Sequence, residues 1–145
     1  MTAPFGGGAF IVDASAWHRA SAPRAARPFA TALRGGQLAT CAITTLEILH
    51  SARDGNDFDA RQAQLSALRD VAITRSVTNA ALAAYRSLAH RHPLFHRSVK
   101  LPDLLIAAAA ADAGIGVLHY DADFATLADV LEFESRWIAR PGSLQ

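Results

Sequence analysis

The stretch "VLHYDADF", residues 117–124, sets a short apolar run directly before two aspartates. The run has the length and composition of a buried strand, so Asp121 and Asp123 stand where that strand ends. Acids at such a place indicate either a solvated turn or part of a metal site. A metal site would require further acids elsewhere in the chain that converge on the same place, whereas a solvated turn would not.

Apolar runs of the same kind recur along the chain and alternate with helical patterns. The apolar runs predict strands at residues 9–12, 38–43, 71–74 and 117–120, with a closing strand at 133–138. Helical spacing and terminus signals predict helices at 27–34, 44–53, 57–70, 78–91, 102–113 and 123–131. Because parallel strands need helical crossovers, this order predicts an α/β fold with a central, mostly parallel sheet flanked by helices (α/β/α).

Length and composition favour one globular domain. The chain has 145 residues, of which 51% are hydrophobic and 19% charged, so residues 1–145 are expected to form a single domain with residues 1–8 as a flexible leader. Cys41 is the single cysteine and is interpreted as a small buried hydrophobe. No apolar run approaches the roughly 20 residues of a membrane span, and a cytoplasmic location is expected.

The charges are unevenly distributed although the net charge is only +1. Two segments, residues 14–46 and 71–100, carry arginines and Lys100 without any acid. Residues 101–135 carry seven acids and no lysine or arginine. An acidic centre beside basic surfaces is the arrangement that a polyanionic substrate, held through a cation, would require.

Four acids fall at one edge of the predicted sheet, since sites in parallel sheets form beyond the carboxyl ends of the strands. Asp13 follows the first strand, Glu47 stands four residues after the second, and Asp121 follows the fourth. Asp103 lies in the first turn of the alanine-rich helix, on its inward face.

Each of these acids also has a structural interpretation. Asp13 could cap a helix, Asp103 could complement a helix dipole, Asp121 could shape a turn, and Thr44-x-x-Glu47 matches a capping box. Together, however, unscreened carboxylates at one edge would repel one another, and a divalent cation removes that cost. The residue types favour Mg²⁺ or Mn²⁺, and the six histidines show no zinc-type spacing.

Four motifs in order, "IVDASAW", "TTLEIL", "LPDLLIAAAA" and "VLHYDADFATLA", resemble the PIN domain and specifically the VapC-type toxin ribonucleases of bacterial toxin–antitoxin pairs. The resemblance runs from about Phe10 to Ile138. It implies a Rossmann-like fold, a homodimer, and metal-dependent RNA cleavage that a cognate VapB-type antitoxin holds in check.

The resemblance also assigns roles to individual residues. It makes Asp13, Glu47, Asp103 and Asp121 the catalytic acids, with Mg²⁺ or Mn²⁺ held by Asp13, Asp103, Asp121 and Asp123. Ser15 matches an auxiliary polar position, although it could equally be a helix-start residue. Glu47 or Asp123 would orient or deprotonate the attacking water, and cleavage would leave a 5′-phosphate and a 3′-hydroxyl.

The basic loop before Asp103 is a candidate RNA contact. It spans residues 90–100, with Arg97 as the candidate RNA-binding residue, and a merely solvated loop is the alternative. Trp17 and Phe29 suggest either a protein contact or ordinary core. Two other functions stay open: a magnesium-dependent phosphoryl hydrolase or phospho-acceptor domain with Asp13 as nucleophile, and a non-catalytic binding protein. The sequence names neither the RNA target nor the number of metal ions.

Overall fold

A five-stranded sheet with every strand pair parallel forms the centre of the molecule. The computed structural model describes residues 3–144. The strands are β1 (Phe10–Val12), β2 (Leu38–Cys41), β3 (Arg69–Val71), β4 (Gly116–His119) and β5 (Ser135–Trp137), and they lie side by side in the order β3-β2-β1-β4-β5. The prediction of a parallel α/β sheet is confirmed.

Seven α-helices connect or follow these strands in the described part of the chain. They are α1 (Ala14–Trp17), α2 (Pro23–Arg34), α3 (Ala42–His50), α4 (Gly55–Ser66), α5 (Arg75–Arg91), α6 (Leu101–Ala113) and α7 (Asp123–Leu127). Short 3-10 turns occupy Pro4–Gly7 and Phe95–Ser98. Within residues 3–144 no helix is long and apolar enough to cross a membrane.

Alternate residues of the central strands supply the two faces of the sheet. Ile11 and Val117 pack into a core with α5, α6 and α7, while Phe10, Val12 and Leu118 pack into a core with α1 and α2. This alternation follows from the two-residue period of a strand and places helices on both faces, as predicted.

Trp17 and Phe29 belong to the second of these cores. Their rings meet edge to face with centroids 6.2 Å apart, and Phe29 is buried. Edge-to-face pairing of this kind stabilises a core beyond the area that it buries. Trp17 and Phe29 therefore contribute to the hydrophobic core, as one of the two interpretations predicted.

Helix α6 carries an acid to the carboxyl edge of the sheet. Its segment from Ile106 to Ala110 is completely buried, and it ends at Gly114, whose φ of 70° is favourable for glycine. Because α6 returns the chain to the amino end of β4, its first turn must lie at the carboxyl edge. Asp103 stands in that first turn and is buried, as its inward position predicted.

Element boundaries differ from the predicted ones at the polar margin of the sheet. The third strand is Arg69–Val71 rather than residues 71–74, and the helix predicted at 57–70 ends at Ser66. Strand β3 is an edge strand with Arg69 and Asp70 exposed, so it lacks the apolar pattern of a buried strand. The helix predicted at 123–131 ends at Leu127.

The described part of the predicted leader contacts the body of the protein. The Gln37 side-chain amide donates to the carbonyl oxygens of Pro4 at 3.2 Å and Gly8 at 2.8 Å. The rings of Phe5 and Phe10 pack edge to face with centroids 6.5 Å apart. Residues 1 and 2 lie outside the described residues.

Candidate metal centre

The acids meet beyond the carboxyl ends of β1 and β4, where the strand order reverses. These two strands are neighbours in the sheet, with Val12 opposite Leu118, and the Asp13 N–H donates to the Leu118 carbonyl at 2.9 Å. Asp13 directly follows β1, and Asp121 stands two residues after β4. A reversal point of a parallel sheet leaves a crevice at this edge, which is the general place for a site in such folds.

Asp13 uses one carboxylate oxygen for structure and leaves the other free. Its Oδ2 accepts hydrogen bonds from the Ser15 N–H at 3.0 Å and from the Ser15 hydroxyl, so Asp13 is the N-cap of α1. The Ser15 oxygen accepts in turn from the Tyr120 N–H at 2.8 Å. Asp13 Oδ1 is buried and has no hydrogen-bond partner among the described residues. The helix-cap interpretation thus accounts for only half of this carboxylate.

Glu47 does not form the predicted capping box. Helix α3 begins at Ala42 with Cys41 as its N-cap, three residues before the Thr44 cap that the capping box requires. Thr44 is buried beside the Cys41 sulfur instead, and Glu47 lies a turn further along the helix. Its Oε1 is buried without a hydrogen-bond partner in residues 3–144. Burial first, and then the charge of Asp13, raise the pKa of Glu47.

Asp103 is the most constrained of the acids. Its side chain is only 5% exposed, and Oδ2 has no hydrogen-bond partner in the described chain. Burial first, and then the charge of Asp13, raise the pKa of Asp103 to about 8. A carboxylate in this position gains from any cation that replaces its lost hydration.

The carboxylates form two overlapping groups that share Asp103. In the inner group, one oxygen from each of Asp13, Glu47 and Asp103 lies within 4.8 Å of the others, and in the outer group the same holds for Asp103, Asp121 and Asp123. Each inner residue carries one of the buried, unpartnered oxygens described above. Hard oxygen donors at this spacing fit Mg²⁺ or Mn²⁺.

Lys100 lies in the outer group, a contact that the sequence did not predict. Its Nζ is 2.8 Å from Asp121 Oδ2, 3.2 Å from Asp123 Oδ2 and 3.6 Å from Asp103 Oδ2. The hydrogen bond to Asp121 is the main cause that raises the pKa of Lys100, against the opposing effect of burial. The sequence grouped this residue with the basic loop, because its contacts with Asp121 and Asp123 span more than 20 positions.

Asp121 and Asp123 also have structural contacts. Asp121 Oδ1 accepts from the Asp123 N–H at 2.9 Å. One oxygen of Asp121 therefore stabilises the turn, as the structural interpretation predicted. Burial would raise the pKa of Asp121, but hydrogen bonds from Lys100 and Asp123 outweigh burial and lower it. Asp123 Oδ2 accepts from the Lys100 N–H at 3.1 Å, whereas the N-cap of α7 is Ala122. Asp123 therefore does not cap that helix.

His119 is a second residue that the sequence analysis missed. It is completely buried, and its Nδ1 accepts from the Asp121 N–H at 3.2 Å while Nε2 lies 2.7 Å from the Ser135 hydroxyl. Burial lowers the pKa of His119 to about 4, so the ring is neutral at pH 7 and donates from Nε2. It fixes the backbone of Asp121. His119 could have been identified from the sequence as a polar residue inside an apolar strand.

The basic loop is only partly free for a ligand. Arg97 is exposed, and within residues 3–144 its side chain makes no hydrogen bond or ion pair. Arg91 instead donates to the Asp129 carbonyl at 3.1 Å. Phe95 packs against the core on the α6 side of the sheet, so it anchors the loop.

Comparison with known proteins agrees with this geometry. The PIN domain family model matches residues 10–130. The chain belongs to the PIN domain family. This PIN domain is 40% identical to "Ribonuclease VapC18" of Mycobacterium tuberculosis, over 93% of this chain and 98% of that protein. It is 37% identical to "Ribonuclease VapC51" of the same organism, over 93% of this chain and 96% of that protein.

Solved structures share the fold at lower identity. A VapBC-family toxin–antitoxin structure, VapBC-5 from Mycobacterium tuberculosis, matches with a TM-score of 0.63 and 23% identity, over 90% of this chain and 98% of that chain. A DNA-bound VapBC from Salmonella typhimurium matches with a TM-score of 0.70 and 15% identity, over 88% and 98%. These matches confirm the predicted PIN-type α/β/α architecture.

Proposed function

We propose that this PIN domain is a metal-dependent ribonuclease toxin that a VapB-type antitoxin neutralises. One observation carries the proposal: Asp13 Oδ1, Glu47 Oε1 and Asp103 Oδ2 are buried together at the carboxyl edge of the sheet without hydrogen-bond partners in the described chain. Unpartnered buried carboxylates are costly unless a cation occupies the site. Relatives at 40% and 37% identity carry the name ribonuclease, which supports RNA as the substrate.

Asp13 and Asp103 are the proposed direct ligands of a Mg²⁺ or Mn²⁺ ion, with Asp121 and Asp123 beside them. Both direct ligands are buried and offer an oxygen without a partner among the described residues. Ser15 holds the other oxygen of Asp13, so the free oxygen keeps a fixed direction. When bound, such an ion supplies charge stabilisation at a scissile phosphate and lowers the pKa of a coordinated water.

Glu47 is a better candidate than Asp123 for orienting and deprotonating the attacking water. The raised pKa of Glu47 brings it nearer to the range that suits a general base at neutral pH. Glu47 Oε1 is also unpartnered in residues 3–144, whereas Asp123 Oδ2 already accepts two hydrogen bonds from Lys100. In-line attack by that water would leave a 5′-phosphate and a 3′-hydroxyl.

The proposed function also includes an antitoxin, an RNA substrate and a second copy of the chain as macromolecular partners. Two solved structures of similar fold are a member of the VapBC family of toxin–antitoxin systems and a DNA-bound VapBC, which supports a protein antitoxin as the partner of this chain. Exposed Arg97 is a proposed phosphate contact for RNA, since phosphate contacts need only an accessible cation. We further propose a homodimer that acts in the cytoplasm.

Cleavage of a defined RNA by the purified protein tests this function. Wild type with Mg²⁺ or Mn²⁺ is expected to cleave, and EDTA is expected to stop cleavage. Asp103→Asn is expected to lower the rate at least 100-fold, which corresponds to about 2.7 kcal/mol of lost transition-state stabilisation. Asp59→Asn is the matched control, because Asp59 is an exposed acid on α4.

Three outcomes would contradict the proposal. Cleavage that persists in EDTA would remove the metal from the reaction. Equal rates for wild type and Asp103→Asn would assign the nuclease activity to another site or to a contaminant. An aspartyl-phosphate at Asp13 without RNA cleavage would favour the phospho-acceptor function instead.

A further inference from the structure

We propose that the Lys100 ammonium fills the outer cation position of the metal centre, so that the protein binds one divalent ion per chain, in the inner group. This inference rests on the proposed metal-dependent function and specifies the number and place of its ions. Lys100 is then a positioning residue of the metal centre, and it is not part of the candidate RNA contact formed by the basic loop.

The contacts of Lys100 distinguish the two groups. Its Nζ lies 2.8 to 3.6 Å from an oxygen of each outer residue, Asp103, Asp121 and Asp123. An ammonium group has three hydrogens, and here it faces three carboxylates. Among the described contacts it reaches no inner residue other than the shared Asp103. The outer group therefore has an ammonium within hydrogen-bond distance of Asp121 and Asp123. The inner group has three buried oxygens without a hydrogen bond, of which Asp103 Oδ2 lies 3.6 Å from that ammonium.

The backbone holds Lys100 in this place. Its N–H donates to Asp123 Oδ2 at 3.1 Å, and its carbonyl accepts from the Leu104 N–H at 3.1 Å at the start of α6. Main chain and side chain of one residue thus contact the outer group together. Lys100 also precedes Asp103 by three positions, so the two residues share a helical turn and their relative position is fixed.

Charge makes the two groups unequal for a divalent ion. An ion in the outer group would share Asp121 and Asp123 with an ammonium only a few ångströms away, and like charges at such distances repel one another even though the Lys100 side chain is 64% exposed. An ion in the inner group would share only Asp103 with Lys100, whose Nζ lies 3.6 Å from Asp103 Oδ2. The first divalent ion should enter the inner group, and Lys100 should oppose a second ion in the outer group.

The presence of a lysine at position 100, where an arginine would also supply a positive charge, agrees with the assignment of its ammonium to the outer cation position. Of the fourteen basic residues in the chain, thirteen are arginine, and Lys100 is the single lysine. An ammonium is a compact point charge on a flexible stem, whereas a guanidinium is a planar fork. A compact charge is the better substitute for a metal ion among three carboxylates.

Counting bound Mn²⁺ tests the inference on the intact protein without reference to catalysis. In equilibrium dialysis with millimolar Mn²⁺, followed by electron paramagnetic resonance or metal analysis, wild type is expected to hold one ion per chain. Lys100→Met is expected to hold two, and Lys100→Arg, which keeps the charge, is expected to hold one. Arg86→Met is the matched control, since Arg86 is exposed on α5, and it is expected to hold one.

The outcomes separate this inference from the function on which it rests. Two ions in wild type, or one ion in Lys100→Met, would overturn the Lys100 assignment alone. No ion in wild type would overturn the metal centre itself.

Acetylation of Lys100 provides a second measurement if Lys100→Met fails to fold. Because the chain has a single lysine, its reaction with an acetylating reagent can be read from one peptide by mass spectrometry. An ammonium that stays in the outer group predicts less than a twofold change in acetylation rate when saturating Mg²⁺ is added to wild type. A severalfold increase would show that the metal displaces Lys100 and would overturn the inference.

Discussion

Single carboxylates in this PIN domain serve folding and chemistry with different oxygens. Asp13 caps α1 through Oδ2 and leaves Oδ1 buried and free, while Asp121 supports a turn through Oδ1 and contacts Lys100 through Oδ2. A structural role at one oxygen therefore gives no argument against metal binding at the other. The helix-cap and turn interpretations were correct for these two residues but incomplete.

Replacing Asp103 by asparagine should stabilise the metal-free protein at high pH. The native pKa of Asp103 is about 8 against an ordinary value of 3.8, so between these values the native state binds more protons there than the unfolded chain. The Asp103 contribution to stability therefore falls as pH rises from about 4 through 8. Asp103→Asn removes the charge and should melt about 3–6 °C above wild type at pH 8.5 in EDTA. This rise corresponds to a gain of roughly 1–2 kcal/mol in the free energy of unfolding.

Thermal melting of both proteins at pH 5 and pH 8.5 checks this prediction. At pH 5 the native Asp103 is protonated whereas the unfolded one is ionised, so only part of the loss has occurred and the difference between the two melting temperatures should be smaller than at pH 8.5. An Asp103→Asn protein that melts below wild type at pH 8.5 would show that the buried charge is compensated within the protein.

Removing the Ser15 hydroxyl should weaken the centre without unfolding the protein. This hydroxyl joins Asp13 to the Tyr120 N–H and so connects the ends of β1 and β4. Ser15→Ala should cost about 1 kcal/mol of stability, the usual value for such hydrogen bonds. With one fewer donor the pKa of Asp13 should rise further, and Mn²⁺ should bind several-fold more weakly at pH 7.

Calorimetric titration of Mn²⁺ into Ser15→Ala and wild type measures that change. Ser66→Ala is a suitable control, because Ser66 is an exposed serine at the end of α4 whose hydroxyl donates to the Ala63 carbonyl. Equal Mn²⁺ affinity in wild type and Ser15→Ala would show that Ser15 has only the helix-start role.

The sheet leaves no room for a side chain at Gly116, the first residue of β4. A Cβ on Gly116 would lie 2.6 Å from the Glu134 carbonyl oxygen and 2.8 Å from the Phe10 ring. Gly116→Ala should therefore destabilise the protein by about 1–3 kcal/mol, because a backbone oxygen and a buried ring must both shift. The expected drop in melting temperature is roughly 3–10 °C.

Gly55→Ala is the matched control for Gly116→Ala. Gly55 opens α4, and a Cβ there would meet no atom within 4 Å. Its melting temperature should stay equal or rise slightly, since alanine is the better helix former. Equal melting temperatures for the two variants would contradict the packing described for β4.

How much the sequence could predict depended on whether an element is buried. Strands β1, β2 and β4 are apolar and were found, and the acids that follow them were placed at the correct edge. Strand β3 is an edge strand with exposed Arg69 and Asp70, so an apolar pattern could not locate it. The capping box at Glu47 was wrong because the true start of α3, Cys41, has no polar capping side chain to reveal it.

The strand order of the sheet assembles the metal centre from segments that are distant in the chain. The order β3-β2-β1-β4-β5 puts β1 beside β4, which brings residue 13 near residue 121 although 108 positions separate them in the chain. The alternation of strands and helices was enough to predict this meeting of acids. The place of Lys100 was not predictable, because it depends on how the loop before α6 folds over Asp121 and Asp123.

A divalent metal should stabilise the folded protein as a whole. A ligand that binds only the native state adds RT ln(1 + [L]/Kd), about 2.7 kcal/mol at a concentration of 100 Kd. For a chain of this size that corresponds to a rise of roughly 5–10 °C in melting temperature. Asp59→Asn should show the same rise as wild type and Asp13→Asn should show none. A wild-type melting curve unchanged by millimolar Mg²⁺ or Mn²⁺ would contradict the metal site.

The acids at this sheet edge are proposed to make the protein a ribonuclease. Sequencing of RNA 5′ ends after induced expression, for wild type and Asp103→Asn at matched protein levels, tests it most directly. We expect new 5′-phosphate ends at defined positions with wild type, their absence with Asp103→Asn, and their suppression by the cognate antitoxin. Identical RNA ends in the two samples would contradict it.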